Sequence, residues 1–574
     1  MFVVFEGIDG SGKTTLSNQV VTQLRAQGLQ VKHLRAEGKF ASRVTEAIRT
    51  LGRDARNLDL DPKAEFLLYV AREVQLVEEV LKPALSQHDL IVADRYFPTA
   101  EVLARYGRHL PREFITRTLQ AVASEIVPEL IVLVDVDPSL ARARRKAQKL
   151  AVADRRPPSR RGLAGVGLQH RLRAGYLALA QHSPERWFVL NNEAELADSV
   201  RDITQLISRA LESDAHTAMS ELRRRSTPPR AAAPVAPAPR SASDALTVFL
   251  AWLNERVVRE PRVAAYMLSG LSGPAVDELR LSLTASVPEA VLAGLSGLVD
   301  DASFRLRDRL KATQPGATAL SLLGIPNRDA RAAELRASLV EQRPGEVLAS
   351  LAMQPDASAW RMRRAWFDAQ PHAVMRSLRG LADADAWALR ERWLAAHATL
   401  LDTEYELART AAVSVSGSPD ERAWRWREAA LPAAPVAALH SITGLTCERS
   451  WQQRERYLLR APKIVMATLR SLRDARAWEL RRAVAADCKE ALDSIFELDD
   501  PAAWELRERF ADVWASTAVK SLGGLADGAR GRAFLERQLA SHPGNVSLLK
   551  HASAVALGVK RGPAMAPGSG QTED

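Results

Sequence analysis

Residues 2–7, FVVFEG, are apolar without alternation, the pattern of a strand covered on both faces. LIVADRY (90–96) and LIVLVDV (130–136) repeat it. Between them lie stretches of helical periodicity, such as Ala64 to Leu85. Strands alternating with helices over residues 1–212 predict an α/β domain: a parallel sheet with helices on both faces.

The pattern then breaks. STPPRAAAPVAPAPRSAS (226–243) is rich in Pro, Ala and Ser. Its prolines lack backbone donors and favour extended chain, so residues 213–243 read as an interdomain linker. From 244 to 559 the periodicity is helical throughout. An anchor recurs at Phe304, Ala333, Trp360, Trp387, Trp424, Trp451, Trp478, Trp504 and Phe534, spaced 29, 27, 27, 37, 27, 27, 26 and 30. An arginine follows each anchor by three residues: Arg307, Arg336, Arg363, Arg390, Arg427, Arg454, Arg481, Arg507 and Arg537. An Asp or Ser often precedes the anchor, placed to cap a helix. About 27 residues hold two short helices, which bury their apolar faces only by stacking on neighbours. The expectation is an all-α, HEAT-like solenoid of about ten hairpins. The 37-residue spacing implies an insertion, assigned to SVSGSPDE (414–421). Residues 560–574 have turn residues and no periodicity, as a disordered tail does.

Composition adds limits. Two cysteines, Cys447 and Cys488, make no disulfide framework, and no Cys/His cluster has zinc-ligand spacing. The first residues are already a strand and not a leader, and no run is long enough to span a membrane; the expected compartment is the cytoplasm. The net charge of +10 is spread along the chain, as on a solvated surface, so nucleic acid is not the expected partner. The anchors read as core. Their arginines read as ties to acids or carbonyls of the next repeat, with a basic stripe for nucleic acid or an acidic partner as the sharper alternative. His372, His397 and His440 stand isolated in the sequence.

The chemistry lies at the start. GIDGSGKT runs from Gly7 through Ile8, Asp9, Gly10, Ser11, Gly12 and Lys13 to Thr14, followed by Thr15. It sits between an apolar strand and an amphipathic helix, the setting of a nucleotide phosphate loop. Its glycines let backbone N–H groups converge on phosphate oxygens, and the helix adds its positive end. Lys13 reaches the β- and γ-phosphates, and the Thr14 hydroxyl suits Mg²⁺. ATP is the expected donor.

Residues 1–210 resemble the thymidylate kinase family. FEGIDGSGKTT (5–15), VEEVLKPAL (77–85), DRY (94–96), VDVDPSLARAR (134–144), RLRAGYLALA (171–180) and PERWFVL (184–190) carry the resemblance. It implies transfer of the ATP γ-phosphate to dTMP, giving dTDP, and a homodimer through the kinase domain. It implies that Asp94 holds Mg²⁺ with Thr14 and that Arg95 binds the acceptor phosphate. Asp9 would approach the acceptor sugar or the metal, Tyr69 would stack on the base, and Arg35 would belong to the acceptor loop. The lid would be ADRRPPSRRGLAG (153–165), with Arg155, Arg156, Arg160 and Arg161.

The chain also departs from the family. Glu73 stands where the family often has an arginine, and Arg72 lies one place earlier, a rotation of about 100° on a helix. Arg35-Ala36-Glu37-Gly38 replaces the family's R-E-P-G. Thr99 stands near a family serine, and Val102-Leu103-Ala104 occupy the place of residues that read the base and screen the sugar. These changes leave two alternatives beside dTMP: another nucleoside monophosphate, or an ATP-gated interaction protein with a degenerate acceptor site. The helical repeats would be a scaffold for a protein partner that the sequence does not name.

Overall fold

The structure, a computed structural model, describes residues 1–34, 42–122, 126–151, 163, 165–193, 195–213 and 239–559. Arg35, the four lid arginines, most of the linker and the tail from 560 lie outside the described residues. The chain divides into two compact units, Met1–Arg145 with Val166–Ala236, and Lys146–Gly165 with Pro237–Asp574.

The first unit alternates as its hydrophobic pattern predicts. Its elements are β1 (Phe2–Glu6), α1 (Lys13–Ala26), β2 (Val31–His33), α2 (Arg43–Arg53), α3 (Pro62–Leu76), α4 (Lys82–Leu85), β3 (Leu90–Asp94), α5 (Phe97–Val102) and α6 (Arg112–Val122). They continue with β4 (Leu130–Asp135), α7 (Pro138–Ala151), α8 (Val166–His182), β5 (Trp187–Asn191) and α9 (Leu196–Glu212). A π-turn over Val77–Leu81 joins α3 to α4, so the predicted helix from Ala64 to Leu85 is continuous but underwound there by one additional residue. Asp61 caps α3 through Lys63 N at 2.8 Å, and Pro62 starts it where no donor is needed.

The sheet is parallel, in the order β2-β3-β1-β4-β5. Every residue of β1 and β3 is buried, the reason their runs are apolar without alternation. Val3 and Phe5 pack with Leu16 and Val20 of α1 and with Ile203 and Leu206 of α9. Each such side chain contributes roughly 1.5–3 kcal/mol by leaving water. Because β1 lies between β3 and β4, the chain leaves its carboxyl end toward opposite sides, which opens a crevice there. Phe5 pairs with Asp94 across β1 and β3, so Glu6, Asp94 and Arg95 emerge together at that crevice.

The second unit is all-helical among its described residues. It forms eleven helical hairpins, one more than the expected ten. The second helix of each contacts the second helices of its neighbours. The aromatic anchors are buried, from Phe534 at 0% exposed to Trp478 at 8%, and only Ala333 is half-buried. Asp300, Asp356 and Asp383 cap first helices through backbone N–H groups three residues on. The array also closes on itself. The first helix, Ala242–Arg259, packs along the last, Val546–Ala556, and Lys550 Nζ donates to Tyr266 O at 3.2 Å. Ala245, Phe249 and Leu253 lie on the covered face of that first helix, each 0% exposed.

The repeated arginines tie backward and not to the next repeat. In Arg363, Nη2 donates to Leu351 O at 2.7 Å, Nη1 to Gln354 O at 2.8 Å and Nε to Ser377 Oγ at 3.0 Å. Arg307, Arg454 and Arg507 repeat this set. The carbonyls end the preceding hairpin, where a helix leaves acceptors without partners. A residue of positive φ ten positions before the arginine turns both carbonyls inward. It is Gly297, Gly380 or Gly444 in some copies, and Met353, Ser471 or Glu497 in others. Burial pulls the Arg363 guanidinium down to about 10, which still leaves it charged at neutral pH. Eight of the nine arginines are buried, so they form no exposed basic stripe. Arg537 alone is exposed, paired with Glu508 at 2.8 Å. Arg280 extends the pattern one hairpin earlier, donating to Leu268 O and Leu271 O. The sequence hides it, because Asp277 and not an aromatic stands three residues before it.

The insertion is not at 414–421. Ser414 and Gly417 occupy the regular serine and positive-φ positions ahead of Arg427. The additional residues lengthen the preceding helix to Ala384–His397 and add the short turn Ala398–Leu400.

Candidate active site

At the end of β1 the chain takes positive φ at Gly7, Gly10 and Gly12, which only glycine adopts without strain. Space makes the same demand at Gly10, where a Cβ would stand 2.3 Å from Ala141 O. The loop is braced from β5: Asn192 Nδ2 donates to Ser11 O at 2.7 Å, and Arg144 donates to Asn192 O at 3.2 Å. Ile8 is buried, and its carbonyl accepts from Lys13 Nζ at 3.1 Å. Ser11 Oγ is buried without a hydrogen-bond partner among the described residues. Thr15 is exposed on the first turn of α1.

Burial first, and then the charge of Arg95, pull the Lys13 ammonium down to about 8. Asp94, Asp9 and Glu6 oppose that shift. Thr14 Oγ1 donates to Asp94 Oδ2 at 2.6 Å. A hydroxyl and a carboxylate at the mouth of a phosphate loop are hard oxygen donors, a set that fits Mg²⁺.

Opposite Lys13, Arg95 follows β3 with φ 74. Its guanidinium donates to Asp9 Oδ1 at 2.5 Å, Tyr176 OH at 3.0 Å and Thr99 Oγ1 at 3.2 Å. Burial alone would lower its pKa; Tyr176, Asp9 and Glu6 outweigh burial and hold it above its usual value. Glu6 is wholly buried beneath, accepting from Tyr96 N at 3.0 Å and Thr99 Oγ1 at 2.7 Å. The structure thus gathers Asp9, Lys13, Thr14, Asp94, Arg95 and Thr99 into one crevice.

Tyr69 and Arg72 lie on α3. The Arg72 guanidinium sits 5.0 Å from the Tyr69 ring centre and bonds Glu73 Oε1. Burial opposes its charge, but Glu73 and Tyr69 prevail, and its pKa is raised; the charge of Arg95 also reaches it. So Arg72 turns toward Tyr69 despite its register, and Glu73 is spent on holding it. Four residues before Tyr69, Glu65 is 1% exposed and paired with Arg108 at 2.7 Å.

Glu6, Asn192, Tyr176, Glu65 and Arg108 are missing from the sequence reading. Glu6 and Tyr176 stand inside quoted motifs, FEGIDG and RAGYLALA, but nothing local shows that either meets Arg95.

A five-stranded parallel sheet in this order, with a phosphate loop after its central strand, defines an ATP-dependent kinase of the phosphate-loop class. The family model for thymidylate kinase matches residues 5–203. The thymidylate kinase of Solidesulfovibrio magneticus is 33% identical over 191 residues, covering 33% of this chain and 90% of that protein. Those of Deinococcus radiodurans and Caldanaerobacter subterraneus subsp. tengcongensis are each 34% identical, over 195 and 197 residues, covering 88% of each protein and 33% and 34% of this chain. The chain belongs to the thymidylate kinase family, and the family match ends before the helical unit. No helix among the described residues is long and apolar enough to cross a membrane.

Proposed function

We propose that the α/β unit transfers the γ-phosphate of ATP to dTMP, giving dTDP, and that the closed helical array is a scaffold for a protein partner. The observation that carries the reading is the placement of Arg95. A half-buried guanidinium, steadied by Asp9, Thr99 and Tyr176, faces the phosphate loop from the strand next to it. An acceptor phosphate approaching ATP is repelled by like charge, and a fixed arginine offsets that repulsion.

In this reading the N–H groups of Gly10 to Thr14 cradle the donor phosphates, and Lys13 follows the γ-phosphate as charge shifts. Thr14 and Asp94 would hold Mg²⁺, which neutralises phosphate charge when bound. Arg95 exchanges Asp9 for the acceptor phosphate, and Asp9 then meets the sugar. Tyr69 offers its ring to the base, with Arg72 held across that ring.

A second reading is favoured by Glu73 and by Val102-Leu103-Ala104: ATP binding gates a partner, with little transfer, or the acceptor is a different nucleoside monophosphate. One panel separates these. Full-length protein, ATP and Mg²⁺ are incubated with each nucleoside monophosphate, with Lys13→Ala as control. Formation of dTDP above the control supports the first reading. Another diphosphate reassigns the acceptor, and no diphosphate at all removes the kinase reading in favour of the gate.

A further inference from the structure

The hairpin with the lengthened first helix is also where the arginine's bonding is least complete among the buried copies. Every regular copy gives the arginine Nε a Ser or Thr hydroxyl, as Arg363 takes from Ser377. The lengthened helix Ala384–His397 displaces that hydroxyl. Arg390, 0% exposed, keeps three carbonyls, but its Nε and Nη1 have no hydrogen-bond partner. Trp393 Nε1 and His372 Nδ1 are likewise buried without one. Buried orphans of this kind keep a desolvation cost that no bond offsets; the arginine of the next hairpin has one such atom, Arg427 Nη1, where Arg390 has two.

The additional turn also brings together two histidines that stand apart in the sequence. The rings of His372 and His397 lie 5.7 Å apart, both against Trp393, at 5.8 Å and 4.5 Å respectively. His397 Nδ1 lies 2.8 Å from Trp393 O. Among the described residues, three charged or titratable groups act on His372: Arg376 of its own helix, His397, and Glu406 of Tyr405–Ser414. Two of these are basic, and Glu406 is shared with Arg409 at 3.3 Å. Burial first, then Arg376 and His397, hold His372 below its usual value.

We propose that this irregular hairpin is an acid-sensitive joint of the closed helical array, opened by protonation of His372, which packs against the His397 and Trp393 rings. The proton must charge His372 beside Arg376 and in a half-buried position, which the folded packing resists and the opened hairpin permits. The sign follows: His372 takes up its proton more readily once the hairpin opens, so closure is favoured above about pH 6.5 and weakens as pH falls below it.

Hydrogen exchange of the full-length protein, followed by mass spectrometry at about pH 7.5 and 5.5 and corrected for intrinsic rates, tests this. Amides of 384–414 should lose protection by up to about tenfold at the lower pH, while those around Trp451 and Trp478 keep theirs. His372→Gln should abolish the acid response without lowering protection at the higher pH, and His440→Gln should leave it intact. If His372→Gln already loses protection at the higher pH, Arg376→Gln decides: a smaller acid response supports the joint. An unchanged response in Arg376→Gln, a response surviving His372→Gln, or none in the unmodified protein overturns it.

Discussion

Arg95 Nη2 lies 2.5 Å from Asp9 Oδ1, across the crevice between the end of β3 and the phosphate loop. Arg95 is therefore held by the phosphate loop itself, with Tyr176 and Thr99 orienting the guanidinium. Under the proposed function, Asp9 is the partner that an incoming acceptor phosphate would replace.

Arg95→Lys should lower turnover by about a hundredfold, since an ammonium reproduces the charge but not the fork of donors. Affinity for ATP should change little. Steady-state kinetics varying each substrate in turn checks this, and a main effect on ATP affinity would show that Arg95 serves the donor side.

Lys13, at about 8 in the unliganded protein, gives ATP binding a pH dependence. The ammonium is the binding form, so affinity is full below that value and falls above it. Between about pH 7 and 9 the dissociation constant should rise about tenfold. Calorimetric titration measures it, and Lys13→Met should bind weakly at both ends with no such slope.

In the helical unit, Arg363→Ala removes a buried guanidinium and orphans the carbonyls of Leu351 and Gln354. Loss of about 3–5 kcal/mol is expected in urea unfolding of the helical transition. Arg363→Lys should recover little, because one ammonium does not span acceptors on two hairpins. Ser377→Ala, which removes only the Nε acceptor, should cost about 1–3 kcal/mol.

Ser471 stands at the turn where some copies have glycine, with φ 65. Relief of that conformation in Ser471→Gly should stabilise the unit by about 1 kcal/mol, read as a higher urea midpoint. Gly444→Ser, the reverse change one repeat earlier, should lower the midpoint by a similar amount.

Much of this protein is determined by short-range pattern. The apolar runs at 2–7, 90–96 and 130–136 specify buried parallel strands, because only strands covered on both faces tolerate unbroken hydrophobicity. The glycines and Lys13-Thr14 specify a phosphate loop, because backbone curvature and donor spacing are local properties. The recurring Trp–x–x–Arg specifies stacked hairpins, because the period sets which residues share a face. Tertiary structure decided the rest, since a partner distant in sequence leaves no local mark. It set Glu6 under Thr99, Asn192 against Ser11 and Tyr176 on Arg95. It turned Arg72 onto Tyr69, although its helical register pointed elsewhere, because Glu73 and the ring compensate a buried charge. It turned the repeated arginines inward, a matter of which carbonyls lie within reach rather than of spacing. It also closed the first hairpin on the last, where complementary apolar faces more than 280 residues apart find each other.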